Sequence, residues 1–441
     1  MNYFRYILAG FLLVANLKLT FAQELPAHQI NLPLFDSPEN SSFSLKNPGM
    51  YQSLQVSKSF YQFSHYSIQK IWKQKSTKTL VGIIVFDTVS GWLPLANSWL
   101  HEEWHRAVLN DHGISSHNGI YDLQFFTETI SVDHVDENRL AAFKQQHPQA
   151  FIRMHTAGLE AQTQLNLALE TDKFYFNTKS FDYMLLWFNK INTSAYLNAC
   201  STSEADRISD DILNHEGVDQ DKRDFTGMDC NAWVYDLFRS NEGYADRGTH
   251  PSGVGIKRYI TYSDLTTEEK SFLRKQYYLS FLNFIDPFLL SMDYFQLPES
   301  VSPASVKWNT RFEHYLNPFG YSINWDIFVD SNRFDVLLQL KNYFNQTSYF
   351  PGVTASLFNF PLLSASKLNV EASIWQQPSK LSFTTHNAQT GGHLQFSTQH
   401  TLSKYLAVYM DLAYKTSGWL EGFIDLNAGF YVRAGLLINR Y

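Results

Sequence analysis

Cysteine is nearly absent from this chain of 441 residues, which has only Cys200 and Cys230. They form no CxxC pair and no histidine pair lies near them. One disulfide is therefore expected, with a two-thiolate metal site as the alternative. Basic charge is also short: 35 Lys and Arg stand against 42 Asp and Glu, a net charge of −7 with no basic stripe. That balance argues against nucleic-acid binding. Beyond the amino terminus, long apolar runs are missing. Residues 79–93 are strongly apolar, but Asp87 interrupts them and Pro94 ends them. This is short of the roughly 20 residues a membrane helix needs, so a buried helix is expected there. The glycines of His250-Pro251-Ser252-Gly253-Val254-Gly255 do not follow a strand as a phosphate cradle would, and read as turns.

What is present begins with an export signal. Arg5, the apolar stretch from Tyr6 to Val14, and Leu19-Thr20-Phe21-Ala22 before Gln23 mark residues 1–22 as a signal peptide. A retained anchor is the alternative. Residues 23–77, polar and aromatic with Pro, Ser and Asn clusters, read as an extended arm. Helices are expected over 137–195 and near 230–238, with an acidic loop at 201–224 between them. Thr266-x-x-Glu269 is a capping box opening a further helix.

The sharpest signal is His101-Glu102-Glu103-Trp104-His105. On a helix, residues four apart leave the same face, so His101 and His105 can share a metal ion. Pro94 before the motif, Leu95, Trp99 and Val108 at helical spacing, and Gly113 after it predict such a helix. The bland alternative is a solvated face on which Glu102 pairs with Arg106. For a third ligand the strongest candidate is Glu160, a carboxylate on a helical, small-residue stretch with Ala157, Gly158 and Ala161. An ionised Glu is rarely buried unless paired or bound to metal. His155, His117, Asp133 and His134 compete for that place.

The H-E-x-x-H run followed by Glu160 resembles the gluzincin branch of zinc metallopeptidases. The resemblance implies Zn2+ held by His101, His105 and Glu160, with Glu102 as general base in peptide-bond hydrolysis. The downstream Asn-Glu-x-x-Ala-Asp type of motif found in some of that branch is absent, and position 111 is Asp rather than a third histidine.

After residue 300 the texture changes to period-two alternation. Ile323, Trp325, Ile327 and Val329 alternate with Asn324 and Asp326, and Val408, Met410 and Leu412 flank Asp411. Eight antiparallel strands are expected, near 306–315, 319–329, 334–344, 351–360, 367–376, 391–401, 405–415 and 424–440. A soluble sandwich would bury the apolar face; a membrane barrel would turn it to lipid. Strand length and dense aromatics (Trp308, Tyr315, Trp375, Tyr405, Trp419) make the region resemble small bacterial outer-membrane barrels, although Tyr441 is out of phase with the apolar set.

Together these readings give an α+β chain: signal 1–22, arm 23–77, a helical metallopeptidase-like domain over 78–300, and an eight-stranded β-barrel over 301–441. The resemblances imply a zinc peptidase anchored in a bacterial outer membrane, facing the periplasm, with protein or peptide as substrate and membrane lipid around the barrel. Two alternatives stand beside it. One is a structural or assembly barrel protein with an inert or structural metal motif. The other is a zinc hydrolase of lipid or cell-wall esters.

Overall fold

A computed structural model describes residues 28–39, 47–72, 77–123, 130–176, 182–216, 218–297, 305–331, 334–363 and 365–440. The expected signal peptide and Tyr441 lie outside these residues. Strand β1 (His28–Ser37) comes first. Helices α1 (Met50–Ile71), α2 (Thr77–Ser90) and α3 (Asn97–Asp111) follow, then the two-residue strands β2 (His117–Asn118) and β3 (Val132–Asp133). Next come α4 (Glu137–Gln146), α5 (Pro148–Tyr175), α6 (Tyr183–Cys200), α7 (Glu204–Glu216), α8 (Asp229–Phe238) and α9 (Thr267–Leu279). The chain ends in β4 (Phe295–Gln296), β5 (Lys307–Asn317), β6 (Gly320–Asp330), β7 (Asp335–Phe344), β8 (Tyr349–Leu363), β9 (Ser366–Pro378), β10 (Ala388–Ser403), β11 (Leu406–Lys415) and β12 (Gly429–Arg440). The architecture is α+β, a helical region followed by an antiparallel sheet.

The sheet has ten strands in the order β1-β12-β11-β10-β9-β8-β7-β6-β5-β4 and is open. This corrects the expected closed barrel of eight. The eight long strands from β5 to β12 lie where the alternation placed them, but β12 joins β1 from the other end of the chain, with His28 opposite Arg440. His28–Ser37 and Met50–Ile71 are therefore a strand and a 22-residue helix rather than an extended arm. At the other edge β5 pairs with the short β4 and packs on the helical segments Ser280–Phe284 and Pro287–Leu290. Helices occupy the space that a closing strand pair would need.

The connection between β11 and β12 shows that the sheet is curled. Trp419 packs on Tyr315 of β5 and Tyr343 of β7. Glu421 accepts from Lys341 of β7 at 2.7 Å, and Phe423 lies against His393 of β10 and Arg433 of β12. In a flat sheet β5 and β12, seven steps apart, would be separated by about 34 Å at the usual strand spacing of about 4.8 Å. One short connection touches both, so the sheet wraps around it. Helix α5 enters the same interior: Glu170 pairs with Arg311 of β5 at 2.8 Å, and Arg153 donates to the carbonyls of Phe423 and Ile424.

The faces of the strands are inverted relative to a water-soluble sheet. Arg311, Gln339, Lys341, Asp411 and Arg433 are buried inside, while Ile374, Leu394, Phe396, Leu412 and Phe430 are exposed outside. Helix α2 repeats the inversion. It is helical as expected, but it buries Thr79, Asp87 and Ser90 along with Ile83, and exposes Leu80, Val81, Val85 and Val89. Its main neighbours are α1 and α6. The buried Asp87 is held by His65 of α1 at 2.6 Å, whose other ring nitrogen meets Asp182 at 2.8 Å.

Two smaller expectations also change. The acidic residues from Glu204 to Glu216 lie on helix α7 rather than in a loop. Cys200 and Cys230 are buried, unbridged thiols where α6 ends and α8 begins. The Thr266–Glu269 capping box stands at the start of α9.

Candidate metal centre

Helix α3 carries His101 and His105 over 97–111 and stops at His112-Gly113, where Gly113 takes a positive φ of 69°. From Leu100 to Leu109 every residue but His101 is buried. The motif is therefore not a solvated face. Arg106 donates to both oxygens of Glu103 at 2.7 Å, and Asn118 donates to the same carboxylate at 2.8 Å. Glu103 thus takes the partner that the bland reading gave to Glu102.

The two imidazoles lie with ring centroids 4.9 Å apart. His105 Nδ1 stands 2.6 Å from the Met154 carbonyl on α5. A carbonyl only accepts, so Nδ1 carries a proton, which leaves Nε2 as the nitrogen that would bind a metal. That Nε2 is buried and makes no hydrogen bond. Helix α5 reaches this position because residue 158 is glycine: a Cβ there would fall 2.3 Å from His101 Nε2. The small residues of α5 do let the two helices approach closely.

The carboxylate that meets both histidines is Asp229, in the first turn of α8. Its Oδ2 is 3.2 Å from His101 Nε2 and 3.4 Å from His105 Nε2, and one ligand atom from each of the three residues falls within 4.8 Å of the others. Tetrahedral zinc ligands at bond lengths of about 2.0–2.1 Å lie about 3.3 Å from one another. Two imidazoles and a carboxylate at this spacing, one nitrogen orphaned, fit a divalent ion with a position left for substrate. Tyr196 of α6 steadies the carboxylate: its hydroxyl donates to Asp229 Oδ2 at 3.2 Å and accepts from the Asp229 amide at 2.9 Å.

Glu160 is not in this group. It is fully buried, as its surroundings in the sequence suggested, but Arg153 donates to it at 2.7 Å and the Gly422 amide at 2.9 Å. Gly158 faces His101, and two residues along a helix turn the chain by about 200°. Glu160 therefore points to the far side, into the curled sheet. His155 is also engaged elsewhere, with Asp236 at 2.9 Å and Thr226 at 3.0 Å. His117 sits beside Asp122, and His134 beside Asp133, outside the group. Asp229 and Tyr196 escaped the sequence reading. Asp229 is 128 residues from His101 and carries no local motif.

Charge at the site is shaped by burial. Burial pushes the Asp229 carboxyl up, and the His105 and His101 imidazoles more than reverse this, so it sits well below the ordinary carboxylate range. Glu102 stands well above that range, through burial first and then the charges of Asp229 and Glu103. Burial lowers His101; in His105 the Asp229 carboxylate outweighs burial and raises it.

Glu102, His101, Asp229 and Tyr196 line one cavity of about 390 Å³, with Thr88, Gly91 and Trp92 from the end of α2 and Ile208 and Ile212 of α7 on its walls. No family model matches the chain, and no curated protein or solved structure is found to be similar to it.

Proposed function

We propose that this chain is a membrane-anchored metallohydrolase that cleaves peptide bonds, with one zinc ion held by His101, His105 and Asp229 and with Glu102 as general base. The observation that carries this reading is His105 Nε2. The ring's Nδ1 is engaged by the Met154 carbonyl, and its buried Nε2 faces the Asp229 carboxylate beside His101. When bound, such an ion polarises a substrate carbonyl and lowers the pKa of water to about 7. Glu102 lines the cavity next to His101. A cation bound there would offset the burial and the neighbouring carboxylates that favour its neutral form. The Glu102 carboxylate would then take a proton from an attacking water and deliver it to the leaving amine. Met154 and Tyr196 hold the ligands in orientation.

The anchor is the outward apolar face of the curled sheet, which we read as facing outer-membrane lipid. Its support is the inversion of polarity: large apolar side chains outside, ionic and amide groups inside. A second reading, hydrolysis of an ester in a membrane amphiphile, draws on the apolar residues Val89 and Ile191, exposed beside cavity-lining Thr88 and Asn192.

Metal content of the purified protein tests the centre. Wild type and Glu102→Ala should each hold one equivalent of zinc, while His105→Ala and Asp229→Ala lose it. Glu102→Ala should also lose turnover of a fluorogenic peptide library. A zinc-free wild type after reconstitution would sink the proposal; full turnover in Glu102→Ala would leave the metal a structural one. Comparing that library with phosphatidylcholine hydrolysis separates the peptide and ester readings.

A further inference from the structure

Between β1 and β5 the wall of the molecule is made of helices, each packed on the next: α1 along β1, then α2, then α6, then the turns Ser280–Phe284 and Pro287–Leu290 against β5. These helices share the inverted polarity of the strands. Toward the interior α1 buries Gln62, His65 and Gln69, and α6 buries Asn189, Lys190, Thr193 and Ser194. Lys190 reaches Asp286 at 2.5 Å. Outward stand Phe63 of α1, Val81 and Val85 of α2, Ile191 of α6, and Phe281 and Ile285, all exposed. Between Lys78 and Thr88 the exposed residues of α2, Leu80, Val81 and Val85, are all apolar. A helix on a water-soluble protein does the reverse.

We infer that this helical wall is lipid-facing: it completes, from the edge of β1 to the edge of β5, the apolar belt that the strands begin, and its occupant is phospholipid acyl chain. The inference rests on reading the outer face of the sheet as lipid-facing. Continuity decides the occupant. A protein partner covers one side of a molecule, whereas here the apolar surface runs across strands and helices alike. None of the described helices is long and apolar enough to cross a membrane alone, so the helices serve as panels in a wall whose height the strands set. One consequence concerns the metal cavity. Thr88 of α2, Gly91 and Trp92 just after it, and Asn192 and Tyr196 on α6 line it. The cavity therefore lies next to Val89 and Ile191 of the belt, one residue along the chain from Thr88 and Asn192.

The test is fluorescence quenching in phosphatidylcholine vesicles that carry spin labels on the acyl chains. Val85→Cys and Ile191→Cys report on the helical wall, Met410→Cys on the sheet, and Asp210→Cys on α7 is the water-exposed reference. Each carries an environment-sensitive dye, and labelling of the buried Cys200 and Cys230 is measured on the unsubstituted chain. Loss of fluorescence at 85 and 191 as deep as at 410, with none at 210, supports the inference. Loss at 410 alone overturns it and leaves the sheet in lipid. No loss at 410 overturns the reading of the sheet as well.

Discussion

At the scale of single residues, the proposed metal centre depends on groups that would hold the ligands as much as on the ligands. Gly158→Ala would place a methyl 2.3 Å from His101 Nε2 and must push that imidazole away. Zinc affinity, measured by chelator competition, should fall by roughly 10- to 100-fold, the range seen when groups supporting a metal ligand are altered. Tyr196→Phe removes the hydroxyl bonded to Asp229 and should lie at the mild end of that range. An unchanged affinity in both would mean that neither residue positions the site. His101 and His105 were legible because four residues of helix suffice to bring them together. Asp229 was not, because only the tertiary packing of α8 against α3 and α5 supplies it. Glu160 was misread for a physical reason. Its burial was correctly inferred, but the charge that compensates it is Arg153, seven residues earlier and so on the same helical face.

At the scale of elements, Asp236 ties α8 to three others, with Lys144 of α4 at 2.8 Å, His155 of α5 at 2.9 Å and Arg247 at 2.5 Å. Burial opposes its ionisation, but Arg247, His155 and Lys144 hold the carboxyl below its ordinary range. Asp236→Asn should lower stability by roughly 3–5 kcal/mol, the cost of stranding buried charges. Because the folded carboxyl is the more acidic one, its contribution is complete above the unfolded pKa of about 3.9 and is lost as pH falls below it. Thermal melts followed by circular dichroism should therefore show a shallower acid decline in Asp236→Asn than in wild type. Equal slopes would contradict this account. The strands were legible because alternation needs only local pattern. The last one begins at Gly429 rather than near 424, since Trp419 to Ile424 fold inward to fill the curl. Helix α7 was hidden by its many carboxylates, and β1 by Pro33 at a register shift in the strand.

At the scale of the whole molecule, the inside-out distribution of polarity makes a sharp prediction about surface charge. Leu412→Arg on the exposed side of β11 should destabilise the protein in vesicles by roughly 2–4 kcal/mol if the site lies near the bilayer midplane. On a water-facing surface the same change would stay within roughly 0.5 kcal/mol. Denaturant titration of the reconstituted protein distinguishes the two. The alternation alone did not reveal whether the sheet closes, because closure depends on what its two edges meet, and those partners come from distant parts of the chain.

The pairing of β1 with β12 also governs when the molecule can be finished. Gln29 and Asn439 bond across 410 residues of chain. Closing a loop that long costs about 4 kcal/mol more than closing a tight hairpin, by logarithmic growth of the closure entropy. β1 must therefore wait for β12, and α1 rests on β1 while also bracing α3 and α5. The helix that carries His101 and His105 gets its full support only after β12 has been made. A ribosome that has made His101, His105 and Asp229 has not yet made the strand on which their support is completed.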